Sequence, residues 1–197
     1  MVDVLIIKQG VKTMDYKMKI AGLERSLQLF QVADNLYIAA FILFGDVEIT
    51  EASATELLKK VPEYDVILTA ECKSIPLVYE MAKQHGDSDY IIARKGTKVY
   101  MTNVISAEVN SITTAHPQVL YLGENEINAI KGKRVLIVDD VISTGESLKC
   151  LELLAEKCGA NIVGKAAILA EGEAADRDDI IYLEKLPLFN ADGSIKE

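Results

Sequence analysis

The sequence predicts an α/β domain whose mainly parallel sheet is flanked by helices. Three observations carry that reading. Short apolar runs recur along the chain, helical patterns lie between them, and the tips that follow the runs gather charged and hydroxyl residues. The runs are "LYIAAFILF" (36–44), "DVILTA" (65–70), "YIIA" (90–93), "VLIV" (135–138) and "KAAILA" (165–170). Their continuous apolar character suits strands buried on both faces.

The helical patterns follow in order. "TELLKKV" (55–61) comes after the acid- and serine-rich "ITEASA". "PLVYEMAKQHG" (76–86) sets Leu77, Met81 and Ala82 on one face and stops at Gly86. "SLKCLELLAEKCG" (147–159) repeats the design with Leu148, Leu151, Ala155 and Cys158, and Gly159 terminates it. Between Gly96 and Lys131 the pattern breaks. This stretch is rich in Thr, Val and Asn around His116-Pro117, and is expected to be an inserted β-hairpin or flexible loop. The ends, 1–34 and 172–197, fit the pattern poorly. They are expected to form a small cap on a core of about 35–171, all within a single domain.

Composition removes several function classes. With 21 basic against 30 acidic residues the net charge is −9, which argues against a nucleic-acid grip and leaves room for a local basic cluster. The longest apolar run falls far short of the roughly 20 residues of a membrane span, and "MVDVLIIKQG" lacks the pattern of a signal peptide. Three cysteines without metal-ligand spacing imply no disulfide framework. The expectation is a cytoplasmic protein with neither membrane nor nucleic acid among its partners.

In open α/β sheets, ligands sit beyond the carboxyl ends of the strands. After "DVILTA" come Glu71, Cys72, Lys73 and Ser74; after "YIIA" come Arg94, Lys95, Gly96, Thr97 and Lys98. After "VLIV" come Asp139 and Asp140, then Ser143, Thr144, Gly145, Glu146 and Ser147 at the start of a predicted helix. Two tips are basic. The third combines free helix N–H groups, a glycine and hydroxyls, which in physical terms is a phosphate cradle. The same residues, Ser143-x-x-Glu146, also spell a capping box. The two carboxylates suit ribose hydroxyls or waters around a divalent cation such as Mg²⁺.

"VLIVDDVISTGESL" (135–148) resembles the signature by which type I phosphoribosyltransferases bind 5-phosphoribosyl 1-pyrophosphate (PRPP). No Walker-type phosphate loop competes with it. "ECKSIPLVYEMA" (71–82) is similar to the pyrophosphate loop of the adenine-specific members. "IIARKGTK" (91–98) is similar to their Arg-Lys strand end, and "FILFGDVEIT" (41–50) to their aromatic-then-Asp segment. Order and spacing agree from about 41 to 171.

The resemblance implies a purine-salvage enzyme, adenine favoured, that works as a homodimer with Mg²⁺ held mainly by PRPP. It implies that Asp139 and Asp140 hold the ribose hydroxyls, and the metal through water. Ser143, Thr144, Gly145, Glu146 and Ser147 would hold the 5′-phosphate. Cys72, Lys73, Ser74, Arg94, Lys95 and Lys98 would face the pyrophosphate, with Lys73, Arg94 and Lys95 joining the aspartates in catalysis. Phe44 would lie against the purine, and Glu171 is a further candidate there. The segment 96–116 matches a mobile loop that closes over the site.

The pattern departs from the adenine type in places. Ser111-Ile112-Thr113-Thr114 stands where those relatives carry a glutamate, and Glu108 is several residues out of register. "NSITT" (110–114) is about as similar to a xanthine-type stretch, and Gly45 replaces a common arginine. The alternatives are a xanthine/guanine-type enzyme and a regulator that senses PRPP without catalysis. Elsewhere Asp176-Arg177-Asp178-Asp179 reads as solvated surface, His85 as a helix-end contact and His116 as a turn residue. Cys72 has no paired histidine, and Cys150 and Cys158 read as core.

Overall fold

The computed structural model describes residues 14–109 and 118–196. In chain order come β1 (Asp15–Ile20), β2 (Leu23–Ala33), β3 (Leu36–Ala39), α1 (Val47–Leu58), β4 (Val66–Ala70), α2 (Ile75–His85), β5 (Ile91–Ala93) and β6 (Ile105–Val109). They continue with β7 (Gln118–Leu122), α3 (Glu124–Ile130), β8 (Arg134–Ile142), α4 (Glu146–Lys157), β9 (Asn161–Glu171), a 3₁₀ turn (Gly172–Asp176) and β10 (Ile181–Leu186).

The main sheet runs β10-β9-β8-β4-β5, and every neighbouring pair is parallel. Alternation along its strands feeds two apolar layers. Val135 and Ile137 of β8 join Ile130 of α3 and Leu151 and Leu154 of α4, whereas Leu136 and Val138 join Ile49, Leu57, Leu77 and Met81 of α1 and α2. With both faces covered, β8 has no position for a polar residue between the exposed Arg134 at its start and its carboxyl end. The expected helix stop at Gly86 is present, with a left-handed φ of 88° and its N–H bonded to the Ala82 carbonyl. Of the two forms expected for the insertion, a β-hairpin or a flexible loop, the described residues form the first: β6 and β7 pair antiparallel, and Ala107, Leu120 and Leu122 pack into the α4 layer.

Four expectations are corrected. "LYIAAFILF" is not a strand of the main sheet: only Leu36–Ala39 is extended, as β3 in a separate antiparallel sheet β1-β2-β3. The run is apolar because Phe41 and Leu43 pack into the α1–α2 layer on the way to α1. That helix starts earlier than "TELLKKV", because the Asp46 carboxylate accepts the Ile49 N–H, and Ile49, Thr50, Ser53, Ala54 and Leu57 form its buried stripe. The insertion carries an unforeseen helix, α3, whose start is held by the Gly123 N–H donating to the Glu126 carboxylate at 3.0 Å. Finally, the C-terminal stretch is more than a cap. β10 is the fifth strand of the main sheet, and its exposed Glu184 and Lys185 are the polar residues of an edge.

Past β10 the chain returns to the antiparallel sheet. Tyr37 and Phe189 exchange two backbone hydrogen bonds of 2.9 Å, and the Phe189 ring, fully buried, meets Tyr16 at a centroid distance of 4.9 Å. Replacing Phe189 with Ala is expected to cost about 3–5 kcal/mol, as for a buried core aromatic. Urea unfolding measures it, and a loss below about 1 kcal/mol would return this segment to the periphery.

Candidate active site

β8 continues past the predicted end of its strand, so Asp139 and Asp140 lie in its last four residues and not in a loop. Their environment is built from β4 and the start of α2. The Thr69 hydroxyl donates to the Val138 carbonyl oxygen at 2.7 Å, and the Ser74 hydroxyl donates to Asp139 Oδ1 at 3.0 Å. Thr69 and Ser74 oxygens lie 2.9 Å apart, so each hydroxyl spends its one proton on β8 while touching the other. The Asp140 N–H also donates to Asp139 Oδ1, at 2.9 Å. Asp140 is only 2% exposed, and Lys73 Nζ lies 3.0 Å from its Oδ2. The angle there falls short of a directed hydrogen bond, so the contact is ionic.

These neighbours divide the pair. Asp139 borders an open pocket yet is enclosed on most sides, and burial followed by the adjacent Asp140 carboxylate pushes its carboxyl up, to about 7. The cation at Lys73 also reaches Glu171, at the end of β9, whose carboxyl is raised by burial and pulled back by that lysine.

Beyond β8 lies the glycine loop. A pocket of about 180 Å³ is lined by Gln118, Asp139 and the run 141–148. The capping box does not form. Gly145 itself is the N-cap of α4, with φ +80°, and no side chain caps the helix, so its first N–H groups face the loop. A side chain at Gly145 would be strained at that φ, and its Cβ would lie 3.0 Å from Arg177 Nη1. Arg177 is therefore not plain surface. Its Nε and Nη2 donate to Asp179 at 2.8 Å each, and Lys165 joins Asp179 to Glu152 of α4. Arg177, then Lys165, hold the Asp179 carboxyl well below its usual range.

The basic tips meet through Glu71, for which no role was expected. Its Oε2 accepts the Lys95 N–H at 3.0 Å and its Oε1 lies 3.5 Å from Arg94 Nη2. That N–H bond, ahead of the Arg94 charge, lowers the Glu71 carboxyl. Arg94 Nε is buried without a hydrogen-bond partner among the described residues, an unspent donor beside the site. The Glu71–Cys72 peptide is cis, Cys72 is exposed, and Lys95 and Lys98 are exposed with side chains open to solvent. Ser74 differs from its expected place: its hydroxyl is buried and committed to Asp139.

Other candidates are dispersed. Phe44 is 51% exposed just ahead of Asp46, and the described contacts do not join it to the aspartates. Next to Gly45, Arg25 of β2 reaches Asp46 with bonds of 2.7 and 3.0 Å. Glu108 is exposed on β6, whereas Asn110–Thr114 and His116 lie outside the described residues. Cys150 and Cys158 are buried, as expected, and burial raises both thiols. Among the described residues no three His, Cys, Asp or Glu side chains cluster as a metal site. Two carboxylates, one ion-paired to Lys73, offer only part of the oxygen shell of a divalent cation such as Mg²⁺.

A raised folded-state value means that the Asp139 contribution to stability is full below about pH 4 and is lost as pH rises through about 7. Asp139→Asn is therefore expected to raise Tm over the parent more at pH 8 than at pH 4.5. A gain independent of pH in thermal melts would contradict the assignment.

Known proteins resemble this chain in sequence and in fold. The chain is 36% identical over 122 residues to a hypoxanthine/guanine phosphoribosyltransferase of Methanotorris igneus, covering 61% of this chain and 62% of that one. It is 30% identical over 131 residues to the purine biosynthesis transcriptional repressor PurR of Bacillus subtilis, covering 65% and 45%. It thus matches less than two thirds of the length of either relative. In structure it is similar to the adenine phosphoribosyltransferase of Thermoanaerobacter pseudethanolicus, with TM-score 0.60 and 23% identity over 71% of this chain and 82% of that one, which is a likeness of fold. The family model for the phosphoribosyl transferase domain matches residues 45–192, well over half of the chain, and the protein belongs to that family.

Proposed function

We propose that this protein transfers the 5-phosphoribosyl group of Mg²⁺-PRPP to a purine base, releasing pyrophosphate. The observation that carries the reading is the meeting of Asp139 and Asp140 with Lys73 on one side and the uncapped glycine loop on the other. A sugar carrying phosphate at one end and pyrophosphate at the other presents the matching chemistry: an anion, a diol and a second anion.

On this reading the N–H groups and hydroxyls of Ser143, Thr144, Gly145, Glu146 and Ser147 take the 5′-phosphate, and the two carboxylates take the ribose hydroxyls. Lys73, now paired with Asp140, exchanges that partner for the pyrophosphate, beside Cys72, Arg94, Lys95 and Lys98. Ser74 acts through Asp139, which it holds in place. As the bond from ribose C1 to the pyrophosphate oxygen breaks and a base nitrogen bonds to C1, negative charge grows on the leaving group. Preorganised cations stabilise it there. Mg²⁺ on the substrate oxygens would add to that charge balance, with Asp139 and Asp140 as the carboxylates available to hold it directly or through water.

Hypoxanthine or guanine is better supported as the base than the adenine expected from the loop resemblance. The relative at 36% identity is named for the former, and the adenine-type likeness is one of fold. The homodimer and the cytoplasmic setting belong to the same proposal. No helix among the described residues is long and apolar enough to cross a membrane. The repressor relative favours a second reading, a PRPP sensor without turnover.

Pyrophosphate release from Mg²⁺-PRPP, with hypoxanthine, guanine, xanthine and adenine offered separately, decides between the two. Turnover is expected with an oxopurine, and tight PRPP binding without turnover on any base would favour the sensor. Lys73→Ala is expected to weaken pyrophosphate binding by about 1.5–3 kcal/mol, roughly 10- to 150-fold, as for a bond to a charged group. By calorimetry the nucleoside monophosphate should lose less, and equal losses would remove Lys73 from its assigned role.

A further inference from the structure

Gln118 belongs to none of the assigned groups, yet it lines the pocket of the glycine loop together with Ser143, Gly145 and Ser147. It opens β7, immediately after residues 110–117. Its Nε2 donates to Ser147 Oγ at 2.7 Å, and its backbone oxygen accepts from the Cys150 thiol of α4 at 3.4 Å. The surrounding packing fixes it: Leu120 of β7 and Leu148, Cys150 and Leu151 of α4 share one buried layer.

The direction of the Gln118–Ser147 bond matters. A serine hydroxyl has one proton and accepts through its lone pairs. Because Ser147 Oγ accepts from the Gln118 amide, its own proton is left for another acceptor, beside a pocket where helix N–H groups already favour an anion. A glutamine does this without charge. A carboxylate in its place would draw the Ser147 proton to itself and set a negative charge against the incoming group.

We propose that Gln118 is a positioning residue of the phosphate pocket: it turns Ser147 into a donor toward a phosphate monoester and ties the β6–β7 hairpin to the occupied loop. The inference rests on the reading of this loop as the 5′-phosphate site. It assigns to the hairpin base a part in substrate binding that is separate from the pyrophosphate end, where Lys73 and Arg94 lie.

The test compares Gln118→Glu with Gln118→Leu, an uncharged variant of similar size, using ribose 5-phosphate and pyrophosphate as calorimetric probes. Gln118→Leu should weaken ribose 5-phosphate a few-fold, and Gln118→Glu at least tenfold more, with pyrophosphate affinity unchanged within twofold in both. Equal affinities of wild type and Gln118→Glu for ribose 5-phosphate would overturn the inference. So would losses that are the same for both probes, since those report general damage to the fold. If Gln118→Glu does not fold, Gln118→Leu alone decides, by whether its loss falls on ribose 5-phosphate and spares pyrophosphate. Failure of the wild type to bind ribose 5-phosphate is a different outcome, and it overturns the reading of the loop itself.

Discussion

Two carboxylates at adjacent positions, one almost wholly buried, are the constraint from which the rest of the site follows. Neither can be left without partners at the end of an apolar strand, because desolvation penalises the charged form and each acid penalises the other. The chain answers with one device for each. Asp139 receives a hydroxyl and an N–H bond and rises toward a protonated state; Asp140 receives the ammonium of Lys73. Both partners come from the segment between β4 and α2, so the order of strands in the sheet is itself a requirement of the acid pair. β4 must lie beside β8 for Ser74 and Lys73 to reach it.

The same adjacency explains why the site has two electrostatic ends. On the β4–β5 side, Glu71 gathers Arg94 and the Lys95 backbone into a basic ledge with unspent donors. On the β8–α4 side the positive character comes from backbone, because Gly145 lets the chain enter α4 without a side-chain cap. Arg177 packs at that glycine, anchored through Asp179 and Lys165 to α4, so a segment that follows the last helix stiffens the loop that precedes it.

Much of this was legible in the residues, and the boundary is a physical one. Where a strand is buried on both faces its apolar run is unbroken, and β4, β5, β8 and β9 could be read directly. The stop at Gly86 and the acid pair before a glycine loop were equally plain, whereas the insertion could be read only as a hairpin or a loop. Edge and cap elements were not. β10 carries Glu184 and Lys185 because one side has no neighbouring strand, and "LYIAAFILF" is apolar through packing and not through pairing. Within the site, the residues placed differently or passed over are those whose contacts depend on distant partners. Ser74 faces Asp139, 65 positions away, and Gln118 reaches Ser147 across 29, distances that no local pattern encodes. Thr69 carried a signal, a lone hydroxyl in an apolar run. Arg177 carried one as well, though it was masked by the acids around it.

The clasp between Phe189 and the antiparallel sheet has a bearing on how the protein is made. Ile20 and Leu27 from the start of the described chain and Leu186 and Phe189 from its end occupy one buried layer with α1 and α2. During synthesis from the N-terminus, that layer stays open to water until residue 189 has left the ribosome, long after β4 and β8 are available to pair. Between the emergence of β8 and that of residue 189 a nascent chain thus presents a half-covered apolar face, the condition under which chaperone capture and aggregation compete with folding.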